Sequence, residues 1–304
     1  MAAMRIVRQY WAVLALAALL FGAVVGVGGG AGPKNDFRFS ILGDRTGGAA
    51  PEIYGRVWRE IDLLHTDFVI NVGDTIQGHD DAGAEAEWRA VVSVWRRYGE
   101  YPFYITPGNH DIWNDASRAL YEKMTGRRSY YGFNWQDAHF TVLDNSLTTE
   151  LSDQQLEFLE KDLAANRTRQ PKFVFFHKPY WIVPLKLGSG EFRLHQLAKK
   201  YGVDCVISGH GHQFLRMVRD GVVYMEVGSS GARVPVDAGK GEGLVQGRFY
   251  EHVWARVKGP KVQFTVKELD GPMGKGRMFR AEDWKDNGPA FDPADPAAKD
   301  KPET

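Results

Sequence analysis

Phe103-Tyr104-Ile105-Thr106-Pro107-Gly108-Asn109-His110-Asp111 is a short apolar run that breaks at a glycine into three donor-rich residues. The pattern recurs four times. Phe37–Leu42 runs into Gly43-Asp44-Arg45-Thr46-Gly47, and Phe68–Val72 into Gly73-Asp74-Thr75. Phe173–Phe176 runs into His177, and Val203–Ser208 into Gly209-His210-Gly211-His212. Short apolar runs of this kind read as buried strands. In open α/β sheets, chemistry sits beyond the carboxyl ends of the strands. The five clusters are therefore expected to converge on one edge of one sheet. A glycine beside four of them supplies a sharp strand exit or a close backbone approach.

Between the runs the spacing predicts helices over Pro51–Leu64, Glu85–Tyr98, Ser117–Met124 and Phe192–Tyr201. Trp88, Val91, Val92 and Trp95 share one face of the second. Ser152 with Gln155 predicts a capping box ahead of Leu156, Leu159 and Leu163. Tyr130–Phe133 and His139–Leu143 read as a strand pair. Asp220-Gly221 and Gly259-Pro260 mark hairpins, between Phe214–Arg219 and Val222–Gly228 and between His252–Lys258 and Val262–Leu269. This order implies the α/β class: a mostly parallel sheet, joined or faced by a second sheet that takes the late hairpins. The glycine-rich stretch Gly228–Gly247 reads as a long mobile loop, either a surface linker or a rim of the site.

The 304 residues are 43% hydrophobic and 25% charged, and 38 basic side chains balance 38 acidic ones. Bulk charge gives no support for nucleic-acid binding. The single cysteine, Cys205, excludes an intramolecular disulfide and reads as a core residue. Arg5 and Arg8 precede an uncharged stretch from Gln9 to Pro33, apolar from Tyr10 to Val27. Residues 1–33 therefore read as a cleaved secretory signal or an uncleaved membrane anchor. Either predicts an exported chain, periplasmic, extracellular or tethered to a membrane. A folded domain is expected over 34–269 and a disordered tail over 270–304. Gly26-Val27-Gly28-Gly29-Gly30-Ala31 matches a dinucleotide-binding pattern, but Gly32-Pro33 cannot continue as its helix.

The clusters offer carboxylates (Asp44, Asp74), an amide (Asn109) and imidazoles (His177, His210, His212). That donor set suits a pair of hydrolytic metal ions. Arg45, beside Asp44, is placed to stabilise phosphoryl charge. Trp113, Tyr180 and Trp181 follow the clusters closely and are candidates to line a pocket.

In that order, GD(44), GD(74), GNHD(108–111), H(177) and GHGH(209–212) resemble the signature of calcineurin-like metallophosphoesterases. The resemblance spans about residues 37–269. It implies a two-sheet β-sandwich flanked by helices, a four-layer αββα fold. It implies two transition-metal ions (Mn, Fe or Zn) and hydrolysis of a phosphomonoester or phosphodiester by a metal-activated water. Asp74 would bridge the ions, Asn109, His177 and His210 would complete one, and Asp44 and His212 would hold the other. His110, oriented by Asp111, would serve the leaving group. The departure is Thr46, where the family usually has a histidine ligand. Purple acid phosphatases place a tyrosine three residues after the bridging aspartate, and here that position is Gln77. Gln77 or His79 is the nearest substitute. The gap keeps an alternative open: a degenerate, membrane-tethered binding protein with one metal site lost.

Overall fold

The computed structural model describes residues 34–187, 192–234, 246–247, 249–269 and 278–279. The expected leader, the glycine pattern within it and most of the expected tail lie outside these residues. Among the described residues, no helix is long and apolar enough to cross a membrane.

In chain order the elements are β1 (Asp36–Leu42), α1 (Pro51–Leu64), β2 (Phe68–Asn71), α2 (Ala84–Trp95), β3 (Phe103–Tyr104) and α3 (Asp115–Thr125). They continue with β4 (Tyr131–Trp135), β5 (Ala138–Val142), α4 (Asp153–Ala165), β6 (Lys172–Phe175), α5 (Ile182–Lys186), α6 (Arg193–Tyr201) and β7 (Cys205–Ser208). Last come β8 (Phe214–Arg219), β9 (Val222–Glu226), β10 (Gln246–Gly247), β11 (Tyr250–Lys258), β12 (Lys261–Leu269) and β13 (Met278–Phe279). The strands form two mixed sheets, ordered β13-β12-β11-β1-β2-β3 and β10-β8-β9-β7-β6-β5-β4.

Alternation along the strands builds the layers. Phe37, Phe39 and Ile41 of β1 face inward and meet Phe140, Phe173 and Phe175 of the other sheet. Phe39 stacks on Phe68 at 5.0 Å and meets the edges of Phe140 and Phe173. Leu42 and Val69 face outward, onto Ile53, Val57, Trp58 and Trp88 of α1 and α2. On the far side, Val174, Val206 and Tyr224 pack against Leu159, Leu163, Leu194 and Leu197 of α4 and α6. The result is the expected order helix, sheet, sheet, helix. Cys205 is buried between the sheets.

Four expectations change. The five strand exits belong to two sheets: β1, β2 and β3 run parallel in one, and β5, β6 and β7 in the other. The late hairpins are divided as well, β8–β9 going to the second sheet and β11–β12 to the first. Within the 270–304 tail, Met278 and Phe279 pair with Lys267 and Val266 and add an edge strand. Only half of the capping box forms. Ser152 accepts from the Gln155 amide, but the Gln155 side chain reaches across to accept from the Asp144 amide at 3.0 Å.

Candidate metal centre

Parallel strands of the two sheets end at a common rim, and there the loops after β1, β2, β3, β6 and β7 meet. Asp74 lies at the centre. Its Oδ2 is 3.1 Å from Nε2 of His177, and its Oδ1 accepts from the His110 amide at 2.9 Å. Nδ1 of His210 lies 3.2 Å from Nε2 of His177. On the other side, Oδ2 of Asp44 lies 3.5 Å from Nε2 of His212 and accepts from the His210 amide at 2.8 Å. Two groups of possible ligand atoms result, Asp74–His177–His210 and Asp44–Asp74–His212, each with its atoms within 4.8 Å of one another. Asp74 belongs to both.

The backbone bends sharply to achieve this. Asp74, His210 and His212 sit at φ of 52°, 81° and 52°. Non-glycine residues are uncommon in that left-handed region, and such strain gathers at functional sites. Gly73 has φ 108°, and a Cβ there would lie 2.6 Å from Nδ1 of His177. At Gly209 an added Cβ would collide with the Asp44 carboxylate and with Val72. These two glycines let backbone approach the donors more closely than a side chain would permit.

Supporting contacts orient the imidazoles. Nδ1 of His177 donates to the Val72 carbonyl at 2.8 Å, and Nδ1 of His212 to the Arg233 carbonyl at 3.1 Å. In both rings Nε2 is left facing the carboxylates, the arrangement metal-binding histidines use. The Asp44 loop is fastened by residues 229–233: Ser230 and Ala232 donate amides to the Asp44 carbonyl, and Arg233 to that of Gly47. The first residues of the expected mobile loop therefore form the buried floor of the site.

Charge is unbalanced at the centre. Burial, and next the charge of Asp74, push the Asp44 carboxyl well up. Burial would raise Asp74 too, but His177 and His110 outweigh it and hold the carboxyl down at about 2. Burial and the neighbouring His177 lower His210 to about 4, and burial lowers His212. His210 and His212, pushed toward the neutral form beside two crowded carboxyl groups, suit a cation. Oδ1 of Asp44 and Oδ1 of Asn109 are buried with no hydrogen-bond partner among the described residues. Unpaired buried oxygens are costly, and a metal ion is the partner both would fit.

Other predicted residues sit elsewhere in the arrangement. Arg45 donates to the Thr75 carbonyl at 3.0 Å, and its guanidinium lies over the Tyr54 ring, so it ties the loops of Asp44 and Asp74 together. Nδ1 of His110 meets the Gln77 carbonyl, not Asp111. Asp111 is fully buried and accepts from the backbone amides of Thr75, Ile76 and Gly108 at 2.8, 3.2 and 2.9 Å. It thus orients the loops that carry Asp74 and Asn109 and leaves the His110 ring to the Gln77 carbonyl. Thr46 donates its hydroxyl to Oε1 of Gln77 at 2.7 Å, which joins the two positions of the expected missing ligand to each other. His79 packs its ring on His110 at 4.8 Å.

A cleft of about 460 Å³ adjoins the Asn109 and His210 side, lined also by Thr149, Lys178, Pro179 and Tyr180. Tyr180 meets the pocket expectation. Trp181 is fully buried against Tyr224, and Trp113 donates to Asp81. His139, His195 and His252 are buried beside Asp162, Asp220 and Glu60, away from the clusters. The sequence reading missed Glu226 and Glu251, both fully buried near Asp44. Glu226 ends the apolar strand β9, the same signal that marked the other clusters.

The calcineurin-like phosphoesterase family model matches residues 47–214, more than half of the chain. Purple acid phosphatase 15 of Arabidopsis thaliana is 28% identical over 170 residues, which cover 46% of this chain and 32% of that protein. The chain therefore spans about a third of that curated relative's length. Among solved structures, the purple acid phosphatase PPD1 of yellow lupin is similar with a TM-score of 0.60 at 16% identity, over 82% of this chain and 55% of that one. GAP50, the anchor in the inner membrane complex of Plasmodium, is similar with a TM-score of 0.58 at 15% identity, over 81% and 89%. At these identities the structural likeness shows the fold alone.

Proposed function

The chain belongs to the calcineurin-like phosphoesterase family, and on that premise we propose that it is an exported hydrolase of phosphomonoesters or phosphodiesters with a binuclear metal centre. The observation that carries the reading is the pair of donor groups sharing Asp74. Asn109, His177 and His210 complete one side, and Asp44 and His212 the other. Two ions at such a centre supply Lewis-acid stabilisation and an acidified water.

The chain's own residues prepare the rest. The Val72 and Arg233 carbonyls fix the tautomers of His177 and His212. With Nδ1 of His110 on the Gln77 carbonyl, its Nε2 is the atom that would carry a proton to the leaving oxygen. Asp111 serves by holding the Asp74 and Asn109 loops at fixed separation. Arg45 contributes through the same loops. Export is proposed from the arginine-led apolar stretch in residues 1–33.

The two sides are unequal. Thr46 and Gln77 satisfy each other, so the Asp44–His212 side has fewer protein donors than the Asn109–His177–His210 side. That observation favours the second reading, a binding scaffold that keeps one ion. Hydrolysis separates the two. Full-length protein reconstituted with Mn, Fe, Zn or Co is expected to cleave nitrophenyl phosphate or its diester, and chelator is expected to abolish the activity. No cleavage with any of the four metals would leave the binding scaffold as the better account.

A further inference from the structure

We propose that Lys178 is the cation that binds the phosphoryl oxygens of the substrate. The inference rests on the phosphoesterase reading above and deepens it. A phosphoryl group carries negative charge on its oxygens, and a fixed cation beside it is the usual complement. The residue expected to supply it, Arg45, is engaged with the Thr75 carbonyl and the Tyr54 ring. Among the described residues that line the cleft, Lys178 is the only lysine or arginine, and the same cleft exposes Asn109 and His210 of the metal centre. It directly follows His177, so the same strand exit positions both.

The side chain is held in place from two directions. Its Nζ donates to the carbonyls of Ser146 and Thr148 at 2.7 and 3.1 Å, and an ammonium has a third N–H left for a ligand. Its backbone is clamped by Asn145, whose Oδ1 accepts from the Lys178 amide at 3.0 Å and whose Nδ2 donates to the Lys178 carbonyl at 2.9 Å. A half-buried ammonium fixed in this way loses little freedom when an anion arrives, which favours binding.

The test is calorimetric titration of inorganic phosphate into full-length, Mn-reconstituted protein at fixed pH and ionic strength. Lys178→Met is expected to weaken phosphate binding about tenfold at unchanged metal content, and kcat/KM to fall by a similar factor. Lys178→Arg, which keeps the charge, is expected to stay within about threefold of wild type. Wild-type phosphate affinity in Lys178→Met would overturn the proposal. So would equal weakening in both variants together with a lower melting temperature, since Lys178 would then only clamp the 145–149 turn. Wild-type protein that takes up no metal, seen before any phosphate is added, would instead overturn the phosphoesterase reading itself.

Discussion

Alanine at position 74 is expected to empty both metal positions and to lower turnover by at least about a thousandfold. Asp74 is the one residue common to both donor groups. Loss of a residue that merely supports a metal ligand costs about 10–100-fold in metal affinity. Removal of a shared carboxylate takes a ligand from each ion and also the charge that holds two dications together. Asp74→Asn separates the causes: it keeps an acceptor for the His110 amide and a residue tolerant of φ near 52°. Elemental analysis of the two variants checks the claim. Retention of two ions per chain in Asp74→Ala would show that the groups do not share this ligand.

Asp111→Ala is expected to destabilise the fold by about 3–5 kcal/mol, because three buried backbone N–H groups lose their acceptor at once. The carboxylate receives the amides of Thr75, Ile76 and Gly108, so it ties the loop after β2 to the loop after β3. Gly108 sits so close to Asp74 that an added Cβ would strike its carboxylate and amide. Slippage of that contact would misplace Asn109 and Asp74 together. Thermal melts and denaturant titrations measure the loss, and metal content is expected to fall with it. If Asp111→Ala melted like wild type and lost only kcat, the residue would act on the substrate or on His110, as the motif alone suggested.

Strand exits were legible because each joins an apolar run to a glycine and a donor, a signal confined to a few adjacent residues. Their division between two sheets was not, because pairing joins distant segments: β1 lies between β2 and β11, which is separated from it by about 200 residues. The direction of side chains was equally hidden. Nothing local tells that Arg45 turns to Thr75 and Tyr54, or that Asp111 faces backbone amides and not its neighbour His110. Gln155 illustrates the same limit, since its capping-box spacing is sound but the Asp144 amide captures the side chain. Helix α5 went unseen because five residues around Pro184 carry no periodic signal. Lys178 and Thr149 carry no local signal, because the cleft they line forms only where the 145–149 turn meets the β6 exit.

On the Asp44 side Thr46 and Gln77 bond to each other, and the donors there decide between an enzyme and a scaffold. The most direct measurement is the number of metal ions retained per full-length chain after reconstitution and dialysis, determined by elemental analysis. Close to two is expected, the more weakly held ion belonging to the Asp44–His212 side. A value of one or zero under saturating Mn, Fe, Zn and Co would contradict the binuclear centre.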